Sequence, residues 1–186
     1  LAEASGVHFF DYIFLAYAAY AGLYTGDLKK AGEYLARAVS ITPPSASWDI
    51  AQNQFMEGFF ALLAGEWGRA EHCLNSSRDL TESCGIPVPN ALTTGALAHL
   101  HLEQGHLSLA LAELSRIEQT QIYQASGMIR FQYDLIRADC ARAARDTEAM
   151  LARLEKAFGD ALQNGLGMPV GIIRSRLALL CAEALK

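Results

Sequence analysis

The chain has 186 residues, of which 52% are hydrophobic and 19% charged, and its formal net charge is −5. This length accommodates one domain with a sizeable core or a short array of repeats. The longest basic run is Lys29-Lys30, so the sequence predicts no direct contact between this segment and nucleic acid. The longest apolar stretch, residues 13–23, is too short to span a bilayer, and no membrane partner is expected.

A frame of the form G-D-L-x-x-A-x-x-x-L-x-x-A recurs along the chain. It begins at Gly26, returns at Gly65 and Gly105, and has a degenerate copy from Arg145, with spacings of 39, 40 and 40 residues. The Gly is expected to end one helix and the acidic residue after it to begin the next. Each copy therefore predicts an antiparallel helix hairpin, and hairpins of this kind must stack to bury their apolar faces.

A small residue lies seven positions before each turn, at Ala19, Gly58, Ala98 and Ala138. We expect it to let the first helix of each hairpin press against the second. The predicted contact is the sixth position of the frame, which is occupied by Ala31, Ala70, Ala110 and, in the degenerate copy, Met150.

The frame divides the chain into four hairpins over residues 7–44, 45–88, 89–125 and 126–166, with a further helix over 168–186. Loops are predicted at 42–45, at 87–90 and at Ser126-Gly127, and an uninterrupted helix from Glu66 to Cys84. The chain begins without an initiator Met and ends inside a helical pattern, so we interpret it as a fragment of a longer protein. Its last apolar segment is expected to cause self-association.

These features resemble the tetratricopeptide repeat, in which a small residue, a Gly-Asp turn, two Ala positions and a closing Pro recur at such spacings. Gly26, Asp27, Ala31, Ala38 and Pro43 carry the resemblance in the first copy. It implies an all-α, right-handed α-α superhelix, a solenoid that forms a single domain over residues 1–186. The period is nearer 40 than the family's usual 34, and the early aromatic residues of that family are mostly missing.

Repeats of this greater length, with extended second helices, are similar to the sensor arrays of large ATP-dependent LuxR-type bacterial transcription activators, typified by the maltose regulator. That resemblance implies a cytoplasmic, non-enzymatic module that binds a protein or peptide partner, or a small-molecule effector. Two alternatives remain open from the residues: a free-standing adaptor for protein–protein interaction, and a helical domain of an enzyme that uses His99, Glu103 and Asp139. An upstream P-loop ATPase and a downstream helix-turn-helix in the same protein would favour the regulator.

In stacked hairpins the first helices line the concave surface, and its predicted residues change from aromatic to polar along the chain. An amphipathic guest suits such a groove. Phe55 and Phe59 are also compatible with the core, and Asp139 and Arg142 could pair with each other at i, i+3. The candidate groove residues are Tyr20, Tyr24, Gln52, Phe55, Phe59, His99, Glu103, Gln132, Asp139 and Arg142.

No catalytic residue, metal site or cofactor is predicted. His99 and His101 are two residues apart, so on a helix they point to different faces and do not converge on a metal. The Gly165–Gly167 stretch lacks the Lys and Ser/Thr of a phosphate-binding loop. The four cysteines are widely separated with no C-x-x-C pair, which favours buried, reduced thiols: Cys73, Cys84, Cys140 and Cys181.

Overall fold

The computed structural model describes residues 11–163, except for the side chains of Leu23 and Tyr24. That range contains nine helices and no strand, so the all-α prediction is confirmed there. The predicted helix over 168–186 lies outside the described residues. The helices are α1 (Asp11–Thr25), α2 (Leu28–Ile41), α3 (Ser47–Leu63), α4 (Trp67–Cys84), α5 (Pro87–Glu103), α6 (Leu107–Glu118), α7 (Gln121–Ala125), α8 (Gly127–Ala143) and α9 (Thr147–Gln163).

The chain forms two compact units, residues 1–93 and 94–186. In the first unit α1 packs on α2, α2 on α3, and α3 on α4. In the second unit α8 packs on α9, and the short helix α7 lies against α6 and α8. Helix α7 was not predicted from the sequence.

The turns of the second, third and fourth copies of the frame close with the same two backbone hydrogen bonds, which also close the turn at Gly85 between α4 and α5. At Gly65, Gly105 and Arg145 the amide donates to the carbonyl three residues earlier, and the following amide donates to the carbonyl five residues before it. This Schellman arrangement requires a left-handed residue. The φ angles are 75°, 78° and 61°, and Gly26 at the first turn has φ 79°. Arg145 carries a Cβ in this conformation, which costs about 1–2 kcal/mol relative to Gly.

An acidic residue follows three of the four turns, and in two of them it caps the next helix. An Asp27 carboxylate oxygen accepts from the Lys30 amide at 3.2 Å, and an Asp146 carboxylate oxygen accepts from the Ala149 amide at 2.9 Å. This backbone hydrogen bond lowers the pKa of Asp27. Glu66 makes no such cap, because its carboxylate pairs with Arg69 at 3.1 Å instead.

The positions that the frame marks as apolar are buried. Ala31, Ala70, Ala110 and Met150 are all at most 1% exposed. The leucines four residues later, Leu35, Leu74, Leu114 and Leu154, are at most 6% exposed, and so are the small residues Ala19, Ala98 and Ala138. Burial at these equivalent positions accounts for much of the core.

Gly58 lies where two helices approach closely, as the sequence predicts. A Cβ at this position would fall 2.6 Å from Cγ of Leu74, which no real contact tolerates. The predicted partner was Ala70, and the nearest atoms instead belong to the residue one helical turn later. In the first hairpin Ala31 has its close neighbour at Gly22, where a Cβ would lie 2.7 Å from the Ala31 Cβ. The close approach of the two helices at Gly58 is therefore confirmed. Its predicted partner, Ala70, is replaced by Leu74.

A polar contact recurs between each second helix and the helix that follows it in the first unit. The Asn53 side-chain amide donates to the Thr42 hydroxyl at 2.9 Å, and the Asn90 amide donates to the Thr81 hydroxyl at 3.1 Å. Both hydroxyls also donate back to a carbonyl of their own helix. These bonds fix the second turn of α3 on the end of α2, and the first turn of α5 on α4.

One predicted loop, at 87–90, is wrong, and the loop at Ser126-Gly127 is confirmed only at Ser126, which lies between α7 and α8. Pro87 is the first residue of α5, a position that tolerates proline because its missing amide hydrogen has no helical partner there. The chain turns earlier instead, at Gly85, whose φ is 66°. The Ser126 hydroxyl caps α8 by accepting from the Ile129 amide at 3.3 Å, and Gly127 begins that helix. The loop at 42–45 and the long helix ending at Cys84 are confirmed.

Replacing Gly58 by Leu should overpack the α3–α4 crossing and lower the free energy of unfolding by about 1–3 kcal/mol or more. The matched control is Gly68→Leu on α4, where an added Cβ meets nothing within 4 Å. Helix propensity there favours Leu, so this control should be neutral or slightly stabilising. Urea unfolding followed by circular dichroism measures both, and equal effects of the two substitutions would contradict the crossing at Gly58.

Candidate functional site

Helices α1 and α3 are joined side by side by aromatic and amide side chains. The Tyr12 hydroxyl donates to the Asp49 carbonyl oxygen at 3.0 Å and lies 3.3 Å from a side-chain oxygen of Asn53. Eight residues further along α1, the Gln52 side-chain amide donates to the Tyr20 hydroxyl. Burial and the nearby Asp49 carboxylate raise the pKa of Tyr12, so this hydroxyl keeps its proton.

Four of the predicted groove residues meet in this region. The rings of Tyr20 and Phe55 have centroids 6.2 Å apart, and the rings of Phe55 and Phe59 are stacked at 5.9 Å. With the Tyr20–Gln52 hydrogen bond, the structure brings all four side chains into one cluster. Phe55 is only 5% exposed, so it supports the cluster from beneath, and the other three are half-buried.

Further apolar side chains continue this surface along both helices. Ile13 and Tyr17 precede Tyr20 on α1 at helical spacing, and Leu63 follows Phe59 on α3. Tyr17 is 70% exposed and Leu63 is 48% exposed. We call this surface the α1–α3 face, defined by Ile13, Tyr17, Tyr20, Gln52, Phe59 and Leu63. The side chain of Tyr24, the remaining predicted residue of this unit, lies outside what the structure describes.

The other predicted groove residues belong to the second unit. On α5, His99 lies 3.3 Å from Glu103 as an i, i+4 pair. On α8, Gln132 and Asp139 are half-buried and Arg142 is exposed. The pairing of Asp139 with Arg142, and the prediction that one groove contains the candidates of both units, stay predictions.

Helices α5 and α8 meet near these residues. A Cβ built on Gly95 would lie 3.4 Å from the ring of Tyr133, an ordinary van der Waals distance, so this ring packs beside α5 at Gly95. Tyr133 is fully buried, and burial raises the pKa of its hydroxyl well above the ordinary value. The two helices that carry His99 and Asp139 are therefore in direct contact through a neutral aromatic side chain.

The sequence did not reveal a buried ion cluster between α8 and α9. Asp134 is 0% exposed, and its carboxylate accepts from the Arg153 guanidinium at 3.0 Å and from the Lys156 ammonium at 2.7 Å. Lys156 also donates to the Tyr123 hydroxyl at 3.2 Å, which ties α7 to α9. A buried carboxylate is tolerated only when it is paired in this way. The single sequence signal was an Asp between apolar residues in the run from Phe131 to Ile136.

A second ion pair fixes α6 to α8. The Arg137 guanidinium makes two hydrogen bonds to the Glu118 carboxylate, at 2.9 and 2.6 Å, and both side chains are mostly buried. Hydrogen bonding to Glu118 raises the pKa of Arg137. Two-point pairing of this kind sets orientation as well as proximity. We assign both ion clusters of this unit to its packing.

The thiols of Cys73 and Cys140 lack the environment of a reactive nucleophile. Cys140 is buried, and burial raises the pKa of its thiol to about 11. Burial also raises the pKa of the half-buried Cys73. Both are therefore protonated at neutral pH and are weak nucleophiles. Cys84 is exposed, so the prediction of a buried thiol is wrong there, and Cys181 lies outside the described residues.

His99, His101 and His106 do not form a metal centre in the part of the chain that the structure describes. The rings of His101 and His106 lie 6.5 Å apart, and within residues 11–163 no three His, Cys, Asp or Glu side chains could hold a metal ion together. Over the same residues no helix is long and apolar enough to cross a membrane.

Comparison of this chain with protein-family models, curated proteins and solved structures finds no match.

Replacing Lys156 by Gln removes one of two cations around the buried Asp134 and should lower the free energy of unfolding by about 1–3 kcal/mol at neutral pH. The matched control is Lys30→Gln, which removes the exposed pair with Asp27 and should leave the free energy of unfolding nearly unchanged, because solvent screens that pair. Thermal and urea unfolding measure both variants. A Lys156 variant no less stable than the Lys30 variant would show that Asp134 does not depend on this contact.

Proposed function

We propose that this chain is a non-enzymatic, helical-repeat interaction module of the tetratricopeptide-like superhelical type, and that its α1–α3 face binds a protein or peptide partner. The observation that carries the proposal is the exposure of apolar side chains on the α1–α3 face. The recurrence of left-handed turns at residues 26, 65, 105 and 145 supports the repeat architecture. The burial of equivalent apolar positions supports it as well.

An exposed apolar surface is unfavourable in water unless a partner covers it. Ile13, Tyr17 and Leu63 are 43%, 70% and 48% exposed, and they share one surface with the part-buried Tyr20 and Phe59. Burying such side chains contributes about 25 cal/mol for each Å² removed from water. This surface can therefore supply affinity to a guest with an apolar face.

The side chains of this face also suit recognition by their chemistry. Tyrosine offers a large, rigid ring with a polar end, which contributes contact area and a hydrogen bond at little entropic cost. Tyr20 and Gln52 already hold each other through their hydrogen bond. The centre of the face is thus pre-organised before a partner arrives, which lowers the cost of binding.

In the second unit we propose five side chains as polar contacts for a partner or a small-molecule effector: His99, Glu103, Gln132, Asp139 and Arg142. They lie on α5 and α8, the helices that correspond to α1 and α3 in the frame. We further propose, from the resemblance of the sequence, that the module is the sensor segment of a cytoplasmic bacterial signalling or transcription regulator. The free-standing adaptor is its alternative, and the domains encoded beside this segment distinguish the two.

The test is selection of peptides from a random display library on the immobilised chain. Selected peptides should bind the unchanged protein and lose at least about tenfold in affinity to the double variant Tyr17→Ser/Leu63→Ser, a loss of about 1.4 kcal/mol. The matched control is Leu28→Ser/Leu109→Ser, which removes two apolar side chains of similar exposure elsewhere.

Fluorescence anisotropy with labelled peptides measures both affinities, and circular dichroism checks that each variant is folded. Equal affinity for the two double variants, or a selection that yields no binder, contradicts recognition of a peptide by the α1–α3 face.

A further inference from the structure

Positive charge is segregated in the first unit. Within residues 11–93 every Lys and Arg lies on α2 or α4: Lys29, Lys30, Arg37, Arg69 and Arg78. Helices α1 and α3 carry three carboxylates, at Asp11, Asp49 and Glu57, and no Lys or Arg. The two helices that build the α1–α3 face therefore present only negative charge.

Asp49 differs from Asp27, Glu57 and Glu66 in its relation to nearby cations. Asp27 pairs with Lys30, Glu66 pairs with Arg69, and Glu57 acts on the pKa of Arg69. Asp49 has no cationic partner within residues 11–163, and partial burial raises the pKa of its carboxyl. It is an anion that has lost part of its hydration, and it is stabilised by the positive end of α3, in whose first turn it lies, rather than by a Lys or Arg side chain.

The position of Asp49 places this charge at one end of the α1–α3 face. Asp49 precedes Gln52 by three residues, Phe59 by ten and Leu63 by fourteen, spacings that keep all four on one side of α3. The stripe they form is about 21 Å long at 1.5 Å per residue. It is charged at the N-terminal end of the helix and apolar at the other.

We propose that the occupant of the α1–α3 face is an amphipathic helix that carries Lys or Arg beside its apolar stripe. The cation pairs with Asp49, while the apolar residues cover Tyr17, Tyr20, Phe59 and Leu63. This inference rests on the proposed function, because it names the partner chemistry of that same surface. About four turns of a partner helix match the length of the stripe, and a helix packs on helices at interaxial distances of about 8–10 Å.

A basic partner gains a second favourable contact at this face. The exposed ring of Tyr17 offers a cation–π position to a Lys or Arg side chain, and so does the exposed ring of Trp48, which lies one helical turn before Gln52 on α3. Because no Lys or Arg of α1 or α3 competes for these rings or for Asp49, the face favours a cationic flank over an anionic one. An acidic amphipathic helix would meet the same apolar surface with a like charge at Asp49.

The experiment uses two synthetic probes with the full chain. One is a peptide of about fourteen residues made of Leu and Lys, with Leu at helical spacing, and the other replaces every Lys by Glu. The Lys peptide should bind at least about tenfold more tightly. Asp49→Asn, which keeps the size of the side chain, should weaken binding of the Lys peptide about fivefold to tenfold.

The matched control is Asp79→Asn, which removes an exposed carboxylate from α4 and changes the net charge equally. It should leave the affinity within about twofold, because an exposed charge away from the contact acts only through the screened field. If Asp49→Asn and Asp79→Asn weaken binding of the Lys peptide equally, the peptide is attracted by the overall negative charge of the protein, and the inference is overturned. Failure of the Lys peptide to bind also overturns it.

The Tyr17→Ser/Leu63→Ser variant separates this inference from the proposed function. If both peptides bind the unchanged protein equally and both lose affinity for this variant, the face binds partners but does not select a cation. If the affinity of neither peptide changes with this variant, the α1–α3 face is not the binding surface, and the proposed function fails with the inference.

Discussion

The left-handed residue that closes each hairpin is the constraint on which the rest of the structure depends. It allows one helix to stop and the next to start within a few residues, so the two helices must lie antiparallel. The same two backbone hydrogen bonds recur at Gly65, Gly105 and Arg145. Once the turn is fixed, a small residue of the first helix approaches the second helix closely, at Gly22 in the first hairpin and at Gly58 in the second. The contact of Gly58 with Leu74 is the clearest case.

The stacking of one hairpin on the next uses polar side chains as well as apolar ones. In the first unit Thr42 and Thr81 each accept a hydrogen bond from an Asn in the first two turns of the following helix. Ser77, which is fully buried, bonds the Ala51 carbonyl and the Thr93 hydroxyl. Buried polar groups satisfied in this way fix orientation, since a displaced helix would leave them unpaired. These bonds hold α3 in place on the side of α3 away from the α1–α3 face.

The sequence predicts most of this fold because its strongest signals concern the backbone. Glycine at a turn and a small residue at a crossing leave few alternatives, so the hairpins and the cluster around Tyr20, Gln52 and Phe59 could be predicted. Contacts between distant residues could not. Asp134 meets its cations 19 and 22 residues away on another helix, and no local pattern encodes that distance. Pro87 was misassigned because proline suits a loop and the first turn of a helix equally well.

The most direct test of this account is the substitution Arg145→Gly, compared with Ala144→Gly one residue earlier. Arg145 adopts the left-handed conformation at φ 61°, whereas Ala144 is right-handed at φ −76°. If the fourth turn is the same turn as the other three, glycine at 145 removes backbone strain and should raise the free energy of unfolding by about 1 kcal/mol. Glycine at 144 should lower it by about 0.5–1 kcal/mol. Urea unfolding of both variants decides the matter, and a destabilised Arg145→Gly protein would contradict the shared turn.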